Sequence, residues 1–172
     1  VEVPPAADVA WLPQRPGFVE GTVADNLRVA DPHTGDARLW AALAQVALAE
    51  RVRALPEGLD TPVGEDAARF SAGERARLAM ARAVVSDRPW VLLDEPTAHL
   101  DPVTTRVLTD TIAELGRTRG VVVVAHDPAI VAVADRELLL PARGAGRVAQ
   151  DARERVVGPR PAPRPVDRAG SR

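Results

Sequence analysis

The stretch WVLLDEPTAHLD, residues 90–101, sets four apolar residues directly before Asp94 and Glu95 and closes on Asp101. A carboxylate closing a buried strand can hold Mg2+ beside phosphate oxygens, directly or through water. The next carboxylate can orient and deprotonate an attacking water. The same two acids also fit a strand that simply reaches solvent at this point. Gln14, after DVAWLP, and His126, after VVVVA, fall at similar strand ends. Ligands of an open parallel sheet sit beyond the carboxyl ends of its strands, yet each of these residues taken alone is also what a solvated side chain looks like. FSAGE, residues 70–74, opens a helix. Its free N–H groups and macrodipole favour an anion. Gly73 allows close approach, and Ser71 can cap the helix or donate to a phosphate. An ordinary capped helix has the same pattern.

The elements that must position these groups alternate between strand and helix. DVAWLP reads as a short strand ended by Pro13. GTVADNL and then DARLWAALAQVALAERVRAL carry apolar residues at helical spacing, with Leu39, Leu43, Val46 and Leu48 on roughly one face. A Pro/Gly-punctuated loop, PEGLDTPVGEDAARF, leads to a helix for which Ser71 and Glu74 form a capping-box pattern. WVLLD and VVVVAHD read as strands covered on both faces, hence parallel. The helix between them starts near Pro102 and ends on Gly116, and RELLLPA reads as a weaker strand. The expected architecture is α/β around a parallel sheet, in one domain over 1–150. The tail 151–172, with four prolines and six arginines, reads as disordered.

Composition excludes several alternatives. A net charge of -2 gives no general pull toward nucleic acid or acidic lipid. The absence of cysteine rules out disulfides and thiolate metal sites. The apolar runs are far too short to span a bilayer, and the first ten residues lack the features of a signal peptide.

Order along the chain adds what no single motif supplies. WLPQ, FSAGERARLAMARA, VLLDEPTAHLD and VVVVAHD follow one another in the sequence. This set resembles the nucleotide-binding domain of ABC ATPases over about Asp8 to Gln150. Gln14 matches the Q-loop, FSAGE the signature, VLLDE Walker B, AHLD the D-loop, and His126 the switch histidine. The resemblance implies a P-loop NTPase-like fold with a parallel core sheet and a helical signature subdomain, acting on ATP with Mg2+. It implies that Asp94 helps hold Mg2+, with Gln14 giving a further oxygen to the metal or the attacking water. Glu95 becomes the general base, and His126 contacts the γ-phosphate. Ser71 and Gly73, with Ala72 and Glu74 in the same motif, would bind the γ-phosphate of ATP held by the opposite domain of a head-to-tail dimer. Asp101 would couple the two sites.

Some features depart from the family. All 22 basic residues are arginine, so the lysine of G-x-x-x-x-G-K-[ST], which neutralises phosphates, is missing. The family places that P-loop upstream of the Q-loop, together with an aromatic that stacks on adenine. The expectation is therefore a C-terminal portion of a longer protein, with the P-loop lobe absent, inactive alone and poorly soluble through an unpaired sheet edge. Ala72 stands where glycine is usual, and Glu74 where glutamine is common. That glutamate would weaken phosphate binding if it pointed inward.

QRPGFVEGTVADNL and the signature region resemble exporters fused to a membrane domain. Ala98-His99 within TAHLD resembles the CydD-type subunit of heterodimeric thiol-reductant exporters, which move cysteine or glutathione across bacterial inner membranes. That places the domain on the cytoplasmic face, with a second ABC domain and a fused transmembrane domain as partners and no nucleic acid. The alternatives are the C-terminal lobe of an SMC- or Rad50-like DNA-maintenance ATPase, or an inactive remnant. The short span between Gln14 and Ser71 has no coiled-coil heptads, which counts against the first. The intact acids and histidine count against the second.

Overall fold

A computed structural model describes residues 4–64, 67–139 and 153–156. Strand β1 (Val9–Leu12) pairs in parallel with β2 (Trp90–Asp94), which pairs in parallel with β3 (Gly120–Val124). The sheet order is β1-β2-β3, with β3 outermost among the described residues. Parallel pairing requires crossovers. The one between β1 and β2 carries α1 (Val23–Arg28), α2 (Asp36–Gln45), α3 (Ala49–Arg53) and α4 (Ala72–Val85), and the one between β2 and β3 carries α5 (Pro102–Leu115).

The core lies between these helices and one face of the sheet. Leu39, Leu43, Val46, Leu48 and Val52 are fully buried with Val23, Leu27, Leu78 and Met80. Ala10, Leu12, Val91 and Leu93 point toward them from the strands. Only this face is covered among the described residues, which corrects the expectation of burial on both. Trp11, Leu92 and Val122 share a register row on the other face, and Trp11 is 65% exposed and Val122 49%.

The long helix expected over residues 36–55 is two helices. Ala47 adopts a left-handed φ of 51°, and the Leu48 amide reaches back to the Leu43 carbonyl at 2.8 Å. The break turns Val46 and Leu48 both into the core. A continuous helix would set residues two positions apart about 200° around its axis, so helical spacing alone does not put Leu48 on the face of Leu39, Leu43 and Val46 as expected.

Helix α4 is the longest rod of this region and is fixed at both ends. Its start carries the capping box: Glu74 N–H donates to Ser71 Oγ (3.2 Å) and Ser71 N–H to Glu74 Oε2 (2.8 Å). Its last carbonyls, which have no partner within the helix, accept from arginines. Arg119 reaches Ala83 (2.9 Å) and Val84 (3.2 Å), and Arg38 reaches Val85 (2.9 Å). Positive charge there also opposes the negative end of the helix dipole. In the last turn, the half-buried Arg82 donates to the Gly17 and Asn26 carbonyls and lies over the Phe18 ring. It ties α4 to the segment following Gln14.

After α6 (Pro128–Val133), strand β4 (Arg136–Leu139) pairs antiparallel with β5 (Arg153–Val156). Four residues of the segment expected as a disordered tail are therefore paired, because their backbone completes a ladder with β4. The rest of 151–172 lies outside the described residues.

Candidate functional site

The carboxyl ends of the three parallel strands bring the candidate residues together. Beyond β1, Pro13 stops the ladder, and Gln14 is exposed in a cleft of about 570 Å3 that Glu95 also lines. Asp94 is the last residue of β2, opposite Val124. Glu95 makes one more sheet bond, its N–H donating to the Val124 carbonyl at 2.8 Å. It then turns through φ +48°, a left-handed conformation that costs energy for a residue with a side chain. The turn aims the carboxylate across to the β3 end, where Glu95 Oε1 lies 2.9 Å from His126 Nδ1.

The segments after these two residues are tied to each other. Thr97, buried, donates from Oγ1 to Asp127 Oδ2 at 3.0 Å, and Asp127 Oδ1 accepts from the Ala129 N–H at 2.9 Å, capping α6. Neither residue was singled out in the sequence. Asp-Pro at 127–128 has the form of a helix start, but nothing in one sequence reveals that its second oxygen reaches Thr97. His99 closes the turn with φ +61° and lines the same cleft, as do Arg15 and Arg75.

The signature-like residues lie at the start of α4. Ala72 lines the cleft; Ser71 is exposed. Ser71 Oγ accepts from Glu74 N–H, which leaves its own O–H free to donate. Glu74 folds back onto the Ser71 amide and onto Arg51 Nε (2.8 Å), so its charge is engaged within the chain. Burial works to raise the Glu74 carboxyl, but the Ser71 amide and Arg51 outweigh it and hold it below the usual glutamate range.

Asp101 caps α5: Oδ1 accepts from Val103 N–H (3.0 Å) and Thr104 N–H (2.9 Å), and Oδ2 from Thr104 Oγ1 (2.6 Å). The Thr104 hydroxyl, then the backbone amides, hold the Asp101 carboxyl below its ordinary range.

The donor set suits a hard divalent cation. Gln14 offers an amide oxygen and Asp94 a carboxylate at neighbouring strand ends. Among the described residues no three His, Cys, Asp or Glu side chains converge as a cage. Mg2+ characteristically takes one or two carboxylates and fills its remaining positions with water and phosphate oxygens.

The family model described as ABC transporter matches residues 3–98. The glutathione/L-cysteine transport system ATP-binding/permease protein CydD of Bacillus subtilis is 37% identical over 132 residues, covering 77% of this chain and 23% of that protein. The ATP-dependent lipid A-core flippase of Bordetella avium is 43% identical over 115 residues, covering 67% of this chain and 19% of the flippase. The solved structure of a bacterial Atm1-family ABC exporter with ATP bound superposes with a TM-score of 0.75 at 30% identity, covering 88% of this chain and 25% of that one.

The chain belongs to the ABC transporter family and forms part of an ATP-binding domain. It spans about a quarter or less of the length of these relatives. ATPase domains of this family bind ATP, generally with Mg2+. The relatives are transport proteins and a flippase, which sets aside the DNA-maintenance reading.

Proposed function

We propose that this chain is the part of an ABC exporter's ATP-binding domain that carries the signature, Walker B, D-loop and switch histidine, and that it works in a protein coupling Mg-ATP hydrolysis to transmembrane transport. The observation that carries the reading is the 2.9 Å contact between Glu95 Oε1 and His126 Nδ1 at the ends of adjacent parallel strands. A carboxylate held this way can accept a proton from a water lined up on a phosphate, and the imidazole can steady the charge that develops there. Asp94 and Gln14 would hold Mg2+, which supplies charge neutralisation at the phosphate oxygens.

Ser71, Ala72 and Gly73 would face ATP held by a second ABC domain in a head-to-tail dimer, with Asp101 linking the two sites. Glu74 would take no direct part, being engaged by Ser71 and Arg51. The assembly would sit on the cytoplasmic face of a bacterial inner membrane, its transmembrane domain fused in the same polypeptide as in ATP-binding/permease relatives. Cysteine or glutathione export is the substrate reading favoured by the identity with the Bacillus subtilis protein and by Ala98-His99.

The test is Glu95→Gln in the full-length transporter that carries this segment. Nucleotide binding should persist while turnover falls by about 10²–10⁴-fold, the usual contribution of a positioned base. The lysine-free 172-residue chain, in the same assay, should show no turnover of its own. Unchanged hydrolysis by the Glu95→Gln protein would remove Glu95 from the role of base.

A further inference from the structure

We propose that Thr104 is a positioning residue that locks the signature turn to the D-loop of the same chain. The inference rests on the function proposed above, since it concerns how Ser71 and Gly73 are presented to a partner's nucleotide.

The contact is visible at Gly73. A Cβ added there would lie 2.8 Å from Thr104 Oγ1, 3.5 Å from Thr104 Cγ2 and 3.5 Å from Asp101 Oδ2. Gly73 does not adopt a positive φ, so left-handed backbone is not the reason for glycine here. Space is. Alanine would otherwise be the better residue in a helix.

Thr104 cannot simply swing aside. It is buried, its hydroxyl donates to Asp101 Oδ2 at 2.6 Å, and its own amide donates to Asp101 Oδ1 at 2.9 Å. The hydroxyl is thus fixed by the residue that caps α5, and the first turn of α4 rests directly on it. On the other side, Glu74 is held by Ser71 and Arg51. With both sides fixed, the signature turn and the Asp101–Thr104 turn form one packed unit. A shift of the D-loop is then carried to Ser71 and Gly73 by direct contact, and Thr104, which belongs to none of the motifs, is the residue that carries it.

Two measurements test this. The first is thermal unfolding of this chain. Gly73→Ala should lower the melting temperature by about 2–4 °C. In a Thr104→Ala background, where Oγ1 and Cγ2 are gone, the same substitution should raise it, because alanine then brings only its helix preference and a less flexible unfolded chain. The same sign in both backgrounds overturns the lock.

The second uses the full-length transporter. Thr104→Val keeps the shape but removes the hydroxyl. The apparent KM for ATP should rise by roughly tenfold, with kcat changed by no more than about twofold, and Thr104→Ser should restore both. An unchanged KM for Thr104→Val overturns the positioning role. Glu95→Gln run alongside separates the two ideas: if it still turns over ATP the catalytic reading fails, while the sign reversal at Gly73 is decided independently of any nucleotide.

Discussion

The two faces of the three-stranded sheet are made from the same kinds of residue and meet different surroundings. Ala10, Leu12, Val91 and Leu93 point into the helical layer and are buried. Trp11, Trp90, Val122 and Val124 belong to the same strands and are 65%, 40%, 49% and 52% exposed. In a half-solvated antiparallel sheet the outer face would be polar, and alternation would reveal it. Here both faces are apolar, as parallel strands usually are. Apolar character thus records what a strand is suited to meet, and burial depends on which helices lie against it.

The first way to break this comparison is to truncate neighbours that point to opposite faces. Leu93→Ala removes a fully buried side chain and should cost about 2–5 kcal/mol. Leu92→Ala, one residue away and only half-buried, should cost about 1 kcal/mol or less. Urea unfolding of the two variants measures both. Equal losses would mean that the open face is packed as tightly as the covered one.

A smaller effect is expected at Gly120. A Cβ there would come within 2.3 Å of Trp90 Cε3, because the indole lies across the start of β3. In a closed core such a clash costs about 1–3 kcal/mol. Trp90 is partly exposed on the open face, so the ring can swing outward, and Gly120→Ala should cost about 1 kcal/mol or less in thermal unfolding. A loss as large as that of Leu93→Ala would show that the ring is fixed in place.

Much of this molecule could be read from single residues. The capping box at Ser71 and Glu74, the Pro102 start and Gly116 end of α5, and the parallel pairing of WVLLD with VVVVA all follow from local chemistry, and the structure has them. The break at Ala47 is not legible locally, because alanine is the strongest helix former and only the pull of Val46 and Leu48 into the core bends the chain there. In the site, spacing marked Asp94, Glu95 and His126 as strand-end residues. The contacts that tie them down were not legible. Thr97 to Asp127 and Gly73 to Thr104 join residues 30 and 31 positions apart, and no periodicity encodes such pairs.

The smallest effect on stability should come with a visible effect on behaviour. Val122→Thr exchanges one β-branched residue for another of nearly the same shape, so strand preference is retained. At a half-exposed position on the outer strand the new hydroxyl can stay hydrated. Stability should then move by no more than about 0.5 kcal/mol. Solubility should rise, because the substitution interrupts an apolar patch shared with Trp11 and Val124 on a strand that is outermost among the described residues. Light scattering at increasing protein concentration reads the second effect and unfolding reads the first. If scattering is unchanged while Leu93→Ala still destabilises the protein, the open face is not what drives association. If stability falls as well, Val122 is packed against something, and the two faces are less different than their exposure suggests.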